Sequence, residues 1–319
     1  MALVIGASGC ASSHPAPLLV EHQVLAAPAN CSDKGIKLKL VTYNIWGLPA
    51  WITGERTGRY QQIAHELERL DPDFILLQEA WTAKARKSAP DNGRWAIGRA
   101  AGQHTFFQQC GLVTLSKCPI TGGEFYPFSR SAFPDRFVNK GVLKVTVQLA
   151  GGKVLNVWNV HLQEGSTPGI RQSQVRELVS RVQAAEDGQI ADLVGGDFNC
   201  TPDSPLCREL ANSLGPSVQQ LGGTAPFVTW DGLSAKPGAG RTIDYIFIRE
   251  RIPCQEVQAG QHVAFTAVSL KQRLSDHLGI EAEVNLSPAL SLTGQLSPVL
   301  ESPRMPTVAG GGASYGGGD

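Results

Sequence analysis

Two stretches of this chain are apolar at almost every position, and they restrict its folding more than any other feature. Phe74-Ile75-Leu76-Leu77 leads into Gln78-Glu79, and Ile190-Ala191-Asp192-Leu193-Val194 leads into Gly195-Gly196-Asp197-Phe198-Asn199. Successive side chains of a strand point to opposite faces. A run that is apolar throughout therefore needs cover on both faces, the situation of a strand inside a layered α/β protein. Each run also delivers a carboxylate at its end. In Gly195-Gly196-Asp197-Phe198-Asn199 the glycines let the backbone turn and pass close to a neighbour, and Asp197 and Asn199 point the same way on an extended chain.

The remaining periodicities supply the other layers. Residues 36–44, 112–116, 141–147, 154–161, 242–248, 255–268 and 278–284 read as strands. Residues 57–70 carry a helical stripe through Ile63, Ala64, Leu67 and Leu70, stopped by Asp71-Pro72. A second amphipathic helix covers 170–185 through Val175, Leu178, Val179 and Val182, and Thr201-Pro202-Asp203-Ser204-Pro205 reads as a turn and helix start. Strands outnumber helices and many are joined by short turns. This predicts two mixed sheets packed face to face with helices outside. Neither a Walker-type phosphate loop nor a GxGxxG motif occurs.

The periodic region, 36–284, has the size of one large α/β domain. Residues 1–35 read as a leader and spacer, and 285–319 as a disordered tail rich in Ser, Pro and Gly. Ala7-Ser8-Gly9-Cys10 resembles a bacterial lipoprotein cleavage box, so the expectation is export, secreted or anchored through a lipid on Cys10, with a cytoplasmic location the alternative if the segment is no leader. Lys and Arg total 28, as do Asp and Glu, giving zero net charge. That balance argues against a chain whose main business is gripping a polyanion. No CxxC pair suggests a zinc ribbon. Cys110–Cys118 or Cys200–Cys207 could each close a small disulfide loop, with burial as small apolar residues the alternative for most cysteines.

The polar residues of interest share one placement: Asn44, Glu79, His161, Asp197 with Asn199, Asp244, and Asp276-His277 each lie at or just past the end of an apolar strand. One buried carboxylate is an ordinary structural feature. Several, gathered at one rim of a sheet, are how α/β folds build sites, because buried charge needs a partner or a metal. Oxygen ligands with only two histidines suit a hard cation, Mg²⁺ or alternatively Mn²⁺, rather than zinc. With no serine-nucleophile elbow, metal-assisted attack of water on phosphorus is the natural chemistry.

Six segments, Thr42-Tyr43-Asn44-Ile45-Trp46-Gly47, Leu77-Gln78-Glu79, Trp158-Asn159-Val160-His161-Leu162, Gly196-Asp197-Phe198-Asn199, Ile243-Asp244-Tyr245-Ile246 and Ser275-Asp276-His277, occur in the order seen in the endonuclease/exonuclease/phosphatase superfamily. The resemblance spans 36–284. It implies a four-layer α/β sandwich with two mostly antiparallel sheets, and phosphodiester hydrolysis by in-line water attack. It also implies roles. Glu79 would be the principal metal ligand, with Asn44 beside it and Asp276 near the metal or its waters. Asp197 would activate the water, and Asn199 would hold a phosphate oxygen. His277 would bind phosphate, its tautomer set by Asp244, and His161 would contact the phosphate and serve as acid for the leaving oxygen.

Within the superfamily, Asn44-Ile45-Trp46-Gly47-Leu48-Pro49, Phe137-Val138-Asn139-Lys140-Gly141 and His161-Leu162-Gln163 resemble bacterial neutral sphingomyelinases, with Lys140 placed to pair with phosphate. The expected substrate is a membrane phospholipid, with nucleic acid the alternative on the same scaffold. No protein partner is expected, and the chain reads as a monomer. Cys200 and Tyr245 depart from the inositol-polyphosphate phosphatase pattern, and the long apolar hairpin of the sphingomyelinase toxins is not evident. Trp46, Trp51, Trp81 and Trp95 fall in loops or near strand ends, and Phe125-Tyr126-Pro127-Phe128 reads as an exposed aromatic cluster suited to lipid contact.

Overall fold

The computed structural model describes residues 18–22, 36–53, 58–100, 109–165, 168–185, 189–217, 228–233, 240–251, 254–264 and 273–288. Cys10, Cys31, most of the leader and the tail from 289 onward lie outside the described residues. The strands are β1 (Leu18–His22), β2 (Ile36–Asn44), β3 (Phe74–Gln78), β4 (Ala96–Ala100), β5 (Val113–Ser116), β6 (Ile120–Pro127), β7 (Gly141–Gln148), β8 (Val154–His161), β9 (Gln189–Asp197), β10 (Asp244–Glu250), β11 (Cys254–Ala264) and β12 (Gly279–Pro288). The α-helices are α1 (Ala50–Thr53), α2 (Arg59–Leu70), α3 (Pro168–Gln183) and α4 (Pro205–Leu214).

Hydrogen bonding runs in the order β10-β9-β8-β7-β6-β1-β4-β5-β3-β2-β12-β11. β1 pairs antiparallel with both β6 and β4 and so joins two halves, although it falls in the segment read as spacer. Each half contains one parallel pair, β2–β3 or β8–β9, among antiparallel neighbours. Both parallel pairs are made by helical crossovers, through α1 and α2 in one half and α3 in the other.

Three apolar clusters separate four layers, which is the expected sandwich. The central cluster packs Leu38, Leu40, Phe74 and Leu76 of one sheet against Leu143, Val145, Leu155, Val157, Leu193 and Ile246 of the other. A second lies under α2 and holds Tyr43, Ile63, Leu67, Ile75 and Leu77. The third lies under α3 and α4 and holds Trp158, Val160, Val175, Leu178, Val194 and Leu210. The run Phe74–Leu77 is apolar throughout because alternate residues feed different clusters.

The helices end where local chemistry dictates. Asp71 closes α2 in a left-handed conformation (φ 52°), donating its N–H to the Glu68 carbonyl. Ser204 caps α4 by accepting the Cys207 N–H at 3.1 Å, with Pro205 at the first helical position.

Several expectations need correction. Gly195 and Gly196 are not in a turn; β9 runs through them to Asp197. A Cβ on Gly195 would come within 2.6 Å of Leu76 Cδ1 in the facing sheet, and one on Gly196 (φ 147°) within 2.0 Å of the Val160 carbonyl. The glycines therefore allow close approach inside the sandwich. β4 and β6 are strands beyond those the periodicity marks, since the Gly and Ala residues they contain weaken its signal. Phe125 is fully buried between the sheets, so the Phe125–Phe128 segment is not an exposed cluster, and Trp81 and Trp95 are buried too. Cys110, Cys118, Cys200 and Cys207 are buried, and neither the Cys110–Cys118 nor the Cys200–Cys207 loop is closed by a disulfide. Apolar packing holds them: the first two lie in the central cluster, the others under α3 and α4. Among the described residues no helix is long and apolar enough to cross a membrane.

Candidate active site

The rule that places the core also places the site. On β2, Leu38, Leu40, Thr42 and Asn44 share the inward face, on β8 Leu155, Val157, Asn159 and His161 share it, and on β9 Ala191, Leu193, Gly195 and Asp197 do. The central apolar layer ends in Asn44, His161 and Asp197, all nearly inaccessible to solvent. In register, Asn44 stands opposite Gln78 and His161 opposite Asp197. Glu79 would point outward if β3 continued. Its backbone is instead left-handed (φ 59°), which turns its carboxyl to meet Asn44. Trp46 (φ 48°) and Asn199 (φ 49°) are also left-handed, so strained residues cluster at this rim.

Asn44 Nδ2 donates to Glu79 Oε1 and to Asp197 Oδ2, both at 3.1 Å, so one amide ties the two halves together. The Trp46 N–H donates to Asn44 Oδ1 at 3.0 Å and fixes which way the amide points. Glu79 Oε2 is buried and accepts no hydrogen bond. Burial, and then the negative charge of Asp276, push the Glu79 carboxyl up to about 7. A buried carboxylate with a spare oxygen and an acidic neighbour is a site for a cation. Glu79 and Asp276 offer carboxylate oxygens, which fit a hard divalent ion, whereas Asn44, expected as a ligand, turns its Nδ2 to the carboxyls and its Oδ1 to the Trp46 N–H and so positions Glu79.

Asp197 is held by Asn44 and by the Asn199 N–H, which donates to Oδ1 at 2.9 Å. Burial, and then Asp244, push its carboxyl up to about 7 as well. Its Oδ2 lies 3.5 Å from His161 Nε2 and 3.7 Å from His277 Nε2. The two imidazoles differ. Burial, together with the charges of Lys140 and His277, holds His161 well below the usual histidine range, so it is neutral. Burial opposes charge on His277 too, but Asp244, whose Oδ2 sits 3.0 Å from Nδ1, outweighs it and raises the ring to about 10. Carboxyl oxygens of Asp197 and Asp244 and a ring nitrogen of His277 lie within 4.8 Å of one another. That trio could hold a metal ion, as could the Glu79 carboxyl with its spare oxygen, and the hydrogen bond between His277 Nδ1 and Asp244 Oδ2 equally suits the trio to moving a proton.

Lys140 is buried beside these groups. It is 5% exposed, pairs with Asp135 Oδ2 at 2.9 Å and donates to the Leu162 carbonyl at 3.2 Å. Asn199 Nδ2 donates to the same carbonyl at 3.1 Å, so an ammonium and an amide converge on one point. Asp276 accepts Trp230 Nε1 at 3.1 Å and Ser275 Oγ at 3.3 Å. All nine residues expected at the site are thus brought to one rim.

The supporting residues were less visible. Gln78 Nε2 donates to Asn159 Oδ1 at 2.8 Å, and Asn159 Nδ2 donates to the carbonyls of Leu77 and Val113, lashing the sheets together beneath the site. Arg59 donates to the carbonyls of Ile45 and Leu274 at 2.8 Å and of Trp46 at 3.0 Å. Thr229 Oγ1 accepts the Asp244 N–H at 3.2 Å, and Ser275 Oγ donates to the Asn44 carbonyl at 2.7 Å. A polar residue one step before a strand's functional end marks Gln78. Nothing local marks Arg59 or Thr229, which act across large sequence separations.

Comparison with known proteins follows the same lines. The sequence profile described as the Endonuclease/Exonuclease/phosphatase family matches residues 41–277. An inositol phosphosphingolipids phospholipase C of Schizosaccharomyces pombe is 26% identical over 195 residues, covering 57% of this chain and 46% of that protein. A sphingomyelinase C of Leptospira interrogans is 24% identical over 278 residues, covering 76% of this chain and 49% of that protein. The chain spans less than half the length of either relative. Among solved structures, D. rerio TDP2 complexed with a single strand DNA product aligns with a TM-score of 0.63 at 18% identity, over 78% of this chain and 99% of that one. A Staphylococcus aureus beta toxin variant with bound magnesium ions aligns with a TM-score of 0.57 at 18% identity, over 77% of this chain and 99% of that one.

Proposed function

The chain belongs to the endonuclease/exonuclease/phosphatase family, and from that premise we propose that it is a divalent-metal-dependent phosphodiesterase acting on a phospholipid headgroup of the sphingomyelin type. One observation carries this reading. A single amide, Asn44, bridges two buried carboxyls, of which Glu79 keeps an unpartnered oxygen and Asp197 faces two imidazoles.

Glu79, its carboxyl oriented by Asn44 and with Asp276 beside it, would hold the cation, which supplies Lewis-acid polarisation of a phosphoryl oxygen when bound. Mg²⁺ is the expected ion and Mn²⁺ the substitute, and the magnesium-bearing beta toxin neighbour supports the choice. Asp197 takes the proton of the attacking water. Asn199 Nδ2 and Lys140 Nζ, now directed at one carbonyl, donate to phosphoryl oxygens instead. His277 enters as imidazolium and stabilises the charge that develops on phosphate, with Asp244 fixing its proton on Nδ1. His161, neutral, donates an N–H hydrogen bond to the leaving oxygen and cannot be its acid, so the leaving oxygen takes its proton from water.

The lipid preference rests on the curated relatives, which are a phosphosphingolipid phospholipase and a sphingomyelinase. A nuclease is the second reading, favoured by the DNA-bound structural neighbour and opposed by the zero net charge. A substrate panel decides between them. Purified protein is offered sphingomyelin vesicles, other choline lipids, inositol phosphates and single-stranded DNA, with Mg²⁺ or with chelator. The expected outcome is phosphocholine release that chelation and Asp197→Ala both abolish. Cleavage of DNA with intact lipids would replace the lipid reading with the nuclease one.

A further inference from the structure

Five large hydrophobic side chains are exposed among the described residues: Trp51 (85%), Phe133 (73%), Ile52 (48%), Phe137 (47%) and Val228 (41%). Single exposed apolar residues are ordinary, but their clustering is informative. Four of the five line one groove of about 700 Å³, and Val228 does not. Trp51 and Ile52 come from α1, a four-residue helix without a single buried residue. Phe133 and Phe137 come from the β6–β7 connection and meet edge to face, ring centroids 6.1 Å apart. One wall therefore belongs to each half of the sandwich. α1 contributes nothing to the core that would account for an exposed tryptophan followed by an exposed isoleucine.

The inner end of the groove is polar. Glu79 and Lys140 line it, so it opens directly onto the site. A ligand that fills both parts must be hydrocarbon at one end and an anionic ester at the other. Charge argues against a nucleic acid strand. Glu79, Asp135 and Glu164 are the acidic lining residues, and Lys140, the sole base among them, is already paired with Asp135.

We propose that this groove docks the protein on a bilayer, with Trp51, Ile52, Phe133 and Phe137 entering the interface and hydrocarbon next to the scissile phosphodiester lying between α1 and the 133–138 loop. The assignment rests on the phosphodiesterase reading of the site and adds to it the surface that selects a membrane-embedded ester. Trp and Phe suit this boundary because Phe is wholly apolar and Trp buries an apolar body while its indole N–H stays in the wet headgroup layer.

The test uses the full chain, its Trp51→Ala/Phe133→Ala double variant, and Val228→Ala as a control for exposed apolar surface outside the groove. Binding is measured with chelator present by co-sedimentation with equimolar sphingomyelin/phosphatidylcholine vesicles, which separates docking from turnover. Hydrolysis is measured with Mg²⁺ on the same vesicles and on bis(p-nitrophenyl) phosphate, a soluble diester. Vesicle partitioning of the double variant falls at least tenfold, its ratio of vesicle to soluble-ester hydrolysis falls at least tenfold, and Val228→Ala changes neither. Unchanged partitioning, an equal loss in Val228→Ala, or an equal loss on both substrates overturns the groove. Groove-dependent vesicle binding without headgroup release would keep the groove and remove the lipid-hydrolase reading. Headgroup release that ignores Trp51 and Phe133 would do the reverse.

Discussion

The β2–α2–β3 and β8–α3–β9 units are built alike and do different things. Each is a parallel pair with a helix packed on its outer face, and each delivers two polar side chains to the same rim. The first supplies Asn44 and Glu79. The second supplies His161 and Asp197. Strand parity places three of these four, and a single left-handed residue places the fourth. One unit thus presents an amide-held carboxyl with a spare oxygen, and the other a carboxyl facing two imidazoles. Equivalent backbones set position, and in the proposed mechanism the terminal side chains decide whether a unit handles a cation or a proton.

Substitutions can break this division, and the largest effect is expected on the proton side. Asp197→Asn should lower kcat on a soluble phosphodiester by about 10²–10⁴-fold, the usual loss on removing a general base, with no gain from extra Mg²⁺. Glu79→Gln should behave differently. Its Mg²⁺ requirement should rise by at least the roughly 10–100-fold seen when an outer partner of a metal ligand is removed, and high Mg²⁺ should restore part of the rate. If both variants respond to Mg²⁺ alike, the two units are not divided as described.

The seam between the units gives the next effect. Gln78→Leu leaves Asn159 Oδ1, deep in the interface, without its 2.8 Å donor, and chemical denaturation should show a loss of about 1–3 kcal/mol. The smallest effect lies outside both units. Ser204→Ala removes the cap of α4 and should cost about 1 kcal/mol with kcat unchanged.

The sequence announces this division unevenly. The four-layer arrangement is legible because Phe74–Leu77 and Leu193–Val194 are apolar on both faces, and the site residues because each ends such a run. What is hidden depends on contacts distant in sequence. Arg59 reaches Leu274 across 215 positions, and Ser275 reaches Asn44 across 231. The inward turn of Glu79 rests on a positive φ at a non-glycine residue, which no propensity suggests. The glycines of β9 look like a turn until the facing Leu76 explains them. Phe125 sits in a loop-like run of residues and is nevertheless fully buried, because β6 pairs with β7 and seals the central layer.

Calorimetric titration of Mg²⁺ into the wild-type protein, Glu79→Gln and Asp197→Asn tests the central claim most directly. The division of labour predicts that Glu79→Gln weakens Mg²⁺ binding at least tenfold and that Asp197→Asn leaves it within about threefold, since a factor of ten corresponds to about 1.4 kcal/mol of lost contact. Loss of Mg²⁺ binding in Asp197→Asn, with binding kept in Glu79→Gln, would instead put the cation in the Asp197–Asp244–His277 trio and contradict the account.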